Sequence, residues 1–190
     1  MAKTKTDIRE AIMTAGRLAV QAHGYNALSF RELAKDVGVK SASVHYHFPT
    51  KGDLGAALAR RYTEEGSAAL NELLATMSNP AQIMDRYVAI FRAALANDNR
   101  MCLCGIMSAE LDDLPEEVRV EVDKFAAVNL AWLERVLVIA QPKAPKPALT
   151  DQATAIFAAI EGAQLVARGC QDIGIYDRSI RAYRGTGLIP

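Results

Sequence analysis

Apolar side chains recur at three- and four-residue steps along almost the whole chain, and that spacing specifies helices. Ile8, Ala11, Ile12, Ala15, Leu18, Ala19 and Ala22 share one face of a first helix, which predicts its buried side. His23-Gly24 ends that helix, and Gly24 suits the left-handed position that follows a helix end. Ser29-Phe30-Arg31-Glu32 has the form of a capping box, with Ser at the N-cap and Glu at N3. The short helix it opens runs from Phe30 to about Val37 and stops at Gly38. A second short helix follows near Ser41 to His47, Pro49-Thr50 breaks it, and Thr50 can cap the next helix at Lys51.

The remainder continues in the same way. A long helix is expected from Asp53 to about Met77, weakened by Gly55 and Gly66, and Asn79-Pro80 starts another to about Asn97. A shorter segment spans Arg100 to Leu111, and Pro115 is placed at the first position of a long helix to Gln141. Pro142, Pro145 and Pro147 mark a loop, after which Thr150-Asp151 begins an alanine-rich helix to about Gln171. Tyr176 to Arg184 forms a last helix. No strand-like alternation, repeat or low-complexity tract interrupts the pattern, so the expected fold is all-α with about nine helices.

The totals exclude several classes. The chain has 190 residues, 51% of them hydrophobic, enough for a sizeable core in one domain or two. Lys+Arg and Asp+Glu both number 22, but residues 1–55 carry eight basic and five acidic side chains, a net of +3, which leaves −3 for the rest. A basic end beside an acidic remainder suits a polyanionic partner. Cys102, Cys104 and Cys170 make no disulfide framework, the N-terminus has no signal-peptide pattern, and no apolar run is long enough to span a membrane. A reduced, cytoplasmic protein is expected.

The segment from Ser29 to Leu54 carries the most information. Two short helices separated by Gly38-Val39 read as a helix-turn-helix. Leu33, Ala34, Val37, Val39 and Val44 are spaced to pack the pair, leaving the outer face of the second helix free. Lys40, Ser41, Ser43, His45 and Tyr46 populate that region. A helix entering the DNA major groove needs short side chains at its leading end and donors that reach base edges and phosphates.

The run from Val39 to Leu54, VKSASVHYHFPTKGDL, together with Phe30-Arg31-Glu32-Leu33-Ala34 upstream, resembles the TetR family of bacterial repressors. The resemblance covers about the first 55 residues. It implies a three-helix DNA-binding domain over 1–54 and a helical ligand-binding and dimerisation bundle over 55–190. It also implies that Ser29, Arg31, Lys40, Ser41, Ser43, His45, Tyr46 and Lys51 face the operator, with Tyr46 and Lys51 on phosphates. His45 departs from the family pattern, which usually has Tyr there. His47 and Phe48 are expected to anchor the recognition helix.

By the same resemblance, an inducer would lie among the helices of the second domain. Tyr87, Phe91, Met107, Phe125 and Trp132, with Met84 and Phe157, offer an apolar lining there, and Glu161 stands in an otherwise apolar helix. Helical Met and aromatic residues also serve simply as core. Cys102-Leu103-Cys104-Gly105, followed by Ser108-Ala109-Glu110, is similar to a stretch in relatives that sense electrophiles, so a thiol sensor is a second reading. Two thiols two residues apart on a helix point roughly 200° apart, so they do not share a metal, and neither metal nor cofactor is expected. The expected partners are pseudo-palindromic operator DNA, a small-molecule inducer and a second copy of the chain, with Ala153, Ala155, Ala158, Ala159, Gly162, Ala163 and Ala167 letting helices pack closely at the dimer interface. An enzyme lacks a phosphate-binding loop or a two-His metal motif here, and a protein-binding adaptor would leave Lys40, Tyr46 and Lys51 unexplained.

Overall fold

In the computed structural model, which describes residues 4–190, nine α-helices and one 3₁₀ turn follow in order and no strand occurs among the described residues. Helix α1 (Lys5–His23) starts at a reciprocal cap that the sequence reading passed over: Thr4 Oγ1 accepts from the Asp7 N–H, and Asp7 accepts from the Thr4 N–H. Its buried side is Ile12, Met13, Gly16 and Val20, so of the expected face only Ile12 is fully buried and Leu18 is exposed. Alanines on both sides of this helix made its buried stripe ambiguous by one position. Helix α2 (Phe30–Val37) is capped by Ser29, but only half of the expected box forms, since the Glu32 carboxylate pairs with Lys35 Nζ at 2.9 Å instead. Gly38 takes φ 73° and ψ 40°, the left-handed geometry that closes the turn before α3 (Ser41–His47).

Helix α4 (Lys51–Thr76) begins where Thr50 Oγ1 accepts from the Asp53 N–H at 3.0 Å. Helix α5 (Pro80–Ala96) is capped by Asn79 with proline in its first turn. The next segment is shorter than expected: α6 is Leu103–Ser108, followed by a 3₁₀ turn at Leu111–Asp113. Cys102 therefore precedes α6 and only Cys104 is helical, so the expected angle between two helical thiols does not apply.

Pro115 lies just before α7 (Glu116–Ala140), where its carbonyl accepts the Val118 N–H at 2.9 Å. Helix α8 (Lys146–Gly169) starts four residues ahead of Thr150, because Pro147 falls in its first turn, where a missing N–H costs nothing. Thr150, expected to begin the helix, lies within it and donates to Glu134 at 2.8 Å. Helix α9 (Ile173–Gly185) is capped by Asp172 and is longer than expected at both ends.

The chain divides into two compact units, with divisions inside α4 and α7 and a third just before α6. The first takes Met1–Thr63 and Leu103–Phe125, the second Glu64–Cys102 and Ala126–Pro190. Ile12, Val20, Leu33, Val44, Phe48, Leu54 and Met107 are buried in the first. Ile83, Tyr87, Trp132, Leu133, Ile156, Ile160 and Tyr176 are buried in the second. No helix of the described residues is long and apolar enough to cross a membrane.

Candidate functional site

Helices α2 and α3 pack on α1 through Leu33, Ala34, Val37 and Val44, all buried. That packing consumes one side of α3 and presents the other. Lys40 and Ser41 at its start are exposed, Ser43 is half-buried, and His45 and Tyr46 are exposed. Tyr46 is 66% exposed, a high value for a large aromatic side chain, and its hydroxyl accepts from Lys5 Nζ at 3.1 Å. Arg31 on α2 is 82% exposed, 3.8 Å from Glu32. Ser29 is half-buried and engaged as the α2 cap.

His45 and Lys51, also expected to face DNA, have intramolecular duties as well. His45 stacks edge-on to Phe30 with ring centroids 4.8 Å apart, and its Nδ1 lies 3.4 Å from the Pro49 carbonyl. Lys51 donates to the Asn26 carbonyl at 3.1 Å and sits 4.5 Å from the centre of the Tyr25 ring. Burial lowers its pKa, an effect that the charges of Glu110 and Asp113 partly offset. Phe48 is buried beneath the Arg9 guanidinium, 5.1 Å from its ring centre, while His47 is half-buried beside Tyr46.

Sequence reasoning missed the groups that brace this surface. Glu110, beyond the end of α6, accepts from the Tyr25 backbone N–H, and Asp113 accepts from Asn26 Nδ2 at 2.6 Å. Gly24, at φ 85°, lies so close to Glu110 that a Cβ there would meet its carboxylate. All of these belong to the first unit, and no pattern within α6 pointed to Tyr25 as a partner.

The expected effector residues fall into two groups. Cys104, Met107 and Phe125 belong to the first unit; Cys104 and Met107 are buried on α6, and Phe125 lies 5.5 Å from Tyr62, centroid to centroid. Tyr87, Phe91, Cys102, Trp132 and Glu161 belong to the second. There Tyr87 stacks on Trp132 at 4.9 Å and meets Phe91 edge-on at 5.2 Å. The Tyr87 hydroxyl donates to Asn129 at 2.9 Å, and that of Tyr176 to the Val88 carbonyl at 2.8 Å. Gln164 accepts from the Cys102 N–H at 2.9 Å and donates to the Phe91 carbonyl at 2.7 Å.

Glu161 stands apart in this group. Both carboxylate oxygens are buried and neither has a hydrogen-bond partner of good geometry. Burial pushes its pKa up to about 7, against a weaker opposing effect of the Cys102 thiol beside it. Arg100, close to Cys102 in sequence, is engaged with the Asn97 carbonyl at 2.8 Å and with Asp98 at 3.3 Å. No group of three or more potential metal ligands occurs among the described residues.

A family model of bacterial regulatory proteins, tetR family, matches residues 12–58, the segment that contains α2, the turn and α3. The chain is 29% identical over 142 residues to the HTH-type transcriptional repressor NemR of Escherichia coli K12, covering 70% of this chain and 69% of that protein. A TetR-family regulator from Agrobacterium tumefaciens superposes with a TM-score of 0.87 at 28% identity, over 94% of this chain and 96% of the other. Residues 12–58 are a TetR-family DNA-binding segment. E. coli NemR in its reduced form superposes with a TM-score of 0.79 at 25% identity, over 97% and 98% of the two chains. The all-helical architecture with an N-terminal helix-turn-helix is the TetR-family one, and the chain is a DNA-binding transcriptional regulator. Its relatives are transcriptional regulators, not enzymes.

Proposed function

We propose that this chain is a TetR-family repressor that binds pseudo-palindromic operator DNA as a homodimer and leaves it when a small molecule binds. DNA binding is assigned to residues 1–54 and effector binding to 55–190. The observation that carries the reading is the free outer side of α3, where Lys40, Ser41 and Tyr46 are exposed while Val44 and Phe48 tie the helix down. A recognition helix reads base edges only when its scaffold is rigid and its outer side chains are unburied. Ser43, His45, Ser29 and Arg31 complete the proposed contact surface. Lys51 would reach a phosphate only by giving up its bond to Asn26.

One α3 touches few base pairs, so two copies on a two-fold axis are needed for specificity. Helix α8 supports pairing, with a correction to which residues would serve. Ala153, Ala163 and Ala167 are buried inside the chain, whereas Ala155, Ala158, Gly162, Leu165 and Val166 form an exposed apolar stripe. An inducer acts by favouring an arrangement of the two copies that does not fit the operator, so its effect equals its preference between the two states.

The test is a fluorescence-anisotropy titration against duplex DNA from upstream of the chain's own gene, with scrambled competitor, at two salt concentrations. Selective binding that weakens with salt is expected. Equal affinity for scrambled DNA, together with no enriched sequence in a genome-wide selection, would overturn the reading.

A second reading, a thiol sensor, is favoured by the position of the Cys102 thiol beside the Glu161 carboxyl. An ionised carboxylate that takes the thiol proton leaves a nucleophile. Its sulfur would add to the β-carbon of an unsaturated carbonyl, the C=C electrons would pass to the α-carbon, and the proton would end there. Cys104 is the other candidate. Unchanged response to such compounds in Cys102→Ser and Cys104→Ser would remove this reading.

A further inference from the structure

Within the second unit, α5, α8 and α9 pack on one another around a group of buried polar side chains. The donors in this group are committed. Tyr87 donates to Asn129, Tyr176 to the Val88 carbonyl, and Gln164 to the Phe91 carbonyl. Glu161 is left with two buried oxygens and no donor of good geometry. The thiol of Cys102 is its hydrogen-bonding neighbour, and a thiol is a weak donor.

The contrast with Glu121 is informative. That carboxylate, also buried, holds Arg60 and Lys124 at 3.0 Å each. Burial raises its pKa, but the bonds to those two cations outweigh burial and bring it below the usual range. Glu161 has no basic side chain among the groups that shift it. A buried carboxylate without a counter-charge is strongly unfavourable, and a Leu or Ala in its place on α8 would avoid the cost.

We infer that Glu161 anchors the protonated nitrogen of an organic amine, whose apolar body lies against the aromatic group of Tyr87, Phe91 and Trp132. The inference rests on the ligand-responsive reading above and names its ligand class. A cation supplies the charge and the N–H donors that Glu161 lacks, in a bond of the charge-assisted kind. The electron-rich faces of Tyr and Trp attract the same charge. An anionic ligand would meet the charge of Glu161 with no compensating cation. A neutral ligand would leave the carboxylate unpaired or hold it protonated.

Full-length protein without DNA tests the idea, with Trp132, the single tryptophan of the chain, as the fluorescent reporter beside Tyr87. The probes are benzylamine and phenethylamine, each with its isosteric alcohol, titrated into the wild type, Glu161→Gln and Glu161→Asp. Binding is followed by Trp132 fluorescence and by calorimetry, and the fold of each variant is checked by circular dichroism. The expected result is that the amines bind the wild type at least tenfold more tightly than the alcohols do. That preference disappears in Glu161→Gln and is partly kept in Glu161→Asp, while alcohol affinity changes less than twofold. Equal binding of amine and alcohol to the wild type, an unchanged amine preference in Glu161→Gln, or no binding of either amine would overturn the inference. The same probes are then added to the DNA complex. Glu161-dependent amine binding that leaves the complex intact keeps the inference and removes the inducer reading. Release of DNA by alcohols but not amines does the reverse.

Discussion

The backbone N–H of Tyr25 donates to the carboxylate of Glu110, a residue 85 positions further along the chain. Tyr25 follows directly on α1, and Glu110 lies beyond α6, so this bond joins the start of the helix-turn-helix to a segment far away in sequence. Lys51 is held in the same neighbourhood by Asn26 and the Tyr25 ring.

Glu110→Ala removes that carboxylate and leaves the Tyr25 N–H without its acceptor, at an expected cost of about 1–3 kcal/mol in urea unfolding. Gly24→Ala is destabilising for two reasons, its positive φ and the collision of the new Cβ with Glu110, with the backbone strain alone costing about 1–3 kcal/mol. The double variant should lose less than the two single losses together, because removing Glu110 removes the collision. Simple additivity would show that the close approach carries no energy.

Tyr46 is exposed and buries little in the chain. Tyr46→Ala should therefore weaken operator binding by about tenfold, or about 1.4 kcal/mol, with unchanged thermal stability. Lys40→Gln, at the groove-facing start of α3, should weaken operator DNA more than scrambled DNA and, by removing one charge, flatten the salt dependence by about one counterion. Anisotropy at several salt concentrations separates the two effects.

Glu161 carries a definite pH dependence. Its pKa rises from the ordinary 4.5 to about 7, because burial disfavours the charge. The folded state then holds a proton that the unfolded state has released, so stability falls as pH rises from about 4.5 to about 7 and levels off above. At about 1.4 kcal/mol per pH unit the full effect is on the order of 3 kcal/mol. The nearby Tyr87 and Tyr176 are pushed upward by burial and by the charge of Glu161, so they stay neutral across this window. The Cys102 thiol is the remaining neighbour, and Cys102→Ser measured alongside isolates the carboxyl. In Glu161→Gln the slope between these pH values should largely vanish; a persisting slope would place its origin elsewhere.

Leu165 is 57% exposed on the outer stripe of α8. If that stripe pairs with a second copy, Leu165→Glu buries two unpaired charges at a two-fold axis. Light scattering should then report a monomer with native helicity, and operator affinity should fall by at least a hundredfold. A dimer with normal DNA binding would move the interface off this face.

Helix ends set by nearby partners were readable in the chain itself. Ser29 beside the α2 amides, Gly38 in the turn and Asn79-Pro80 ahead of α5 are satisfied within three or four residues, so their types and spacing identify them. The helix-turn-helix was legible for the same reason, since α2, the turn and α3 are contiguous and their packing residues lie at helical steps. Pro147 shows how such signals mislead: read as part of a loop, it lies in the first turn of α8, where proline fits. The inward side of α1 depended on which alanines and glycines its neighbours could approach, and the sequence pattern was one position off.

Tertiary structure alone decided the partners. Glu110 and Tyr25 are 85 residues apart, and nothing in either segment names the other. Glu161 looked like one polar residue on an apolar helix; only the packed interior revealed that Tyr87, Tyr176 and Gln164 spend their donors elsewhere and leave its carboxylate with the weakly donating Cys102 thiol beside it. Local hydrogen bonds are written in short sequence intervals, whereas the burial of a charge and the identity of its neighbours depend on how distant segments close upon each other.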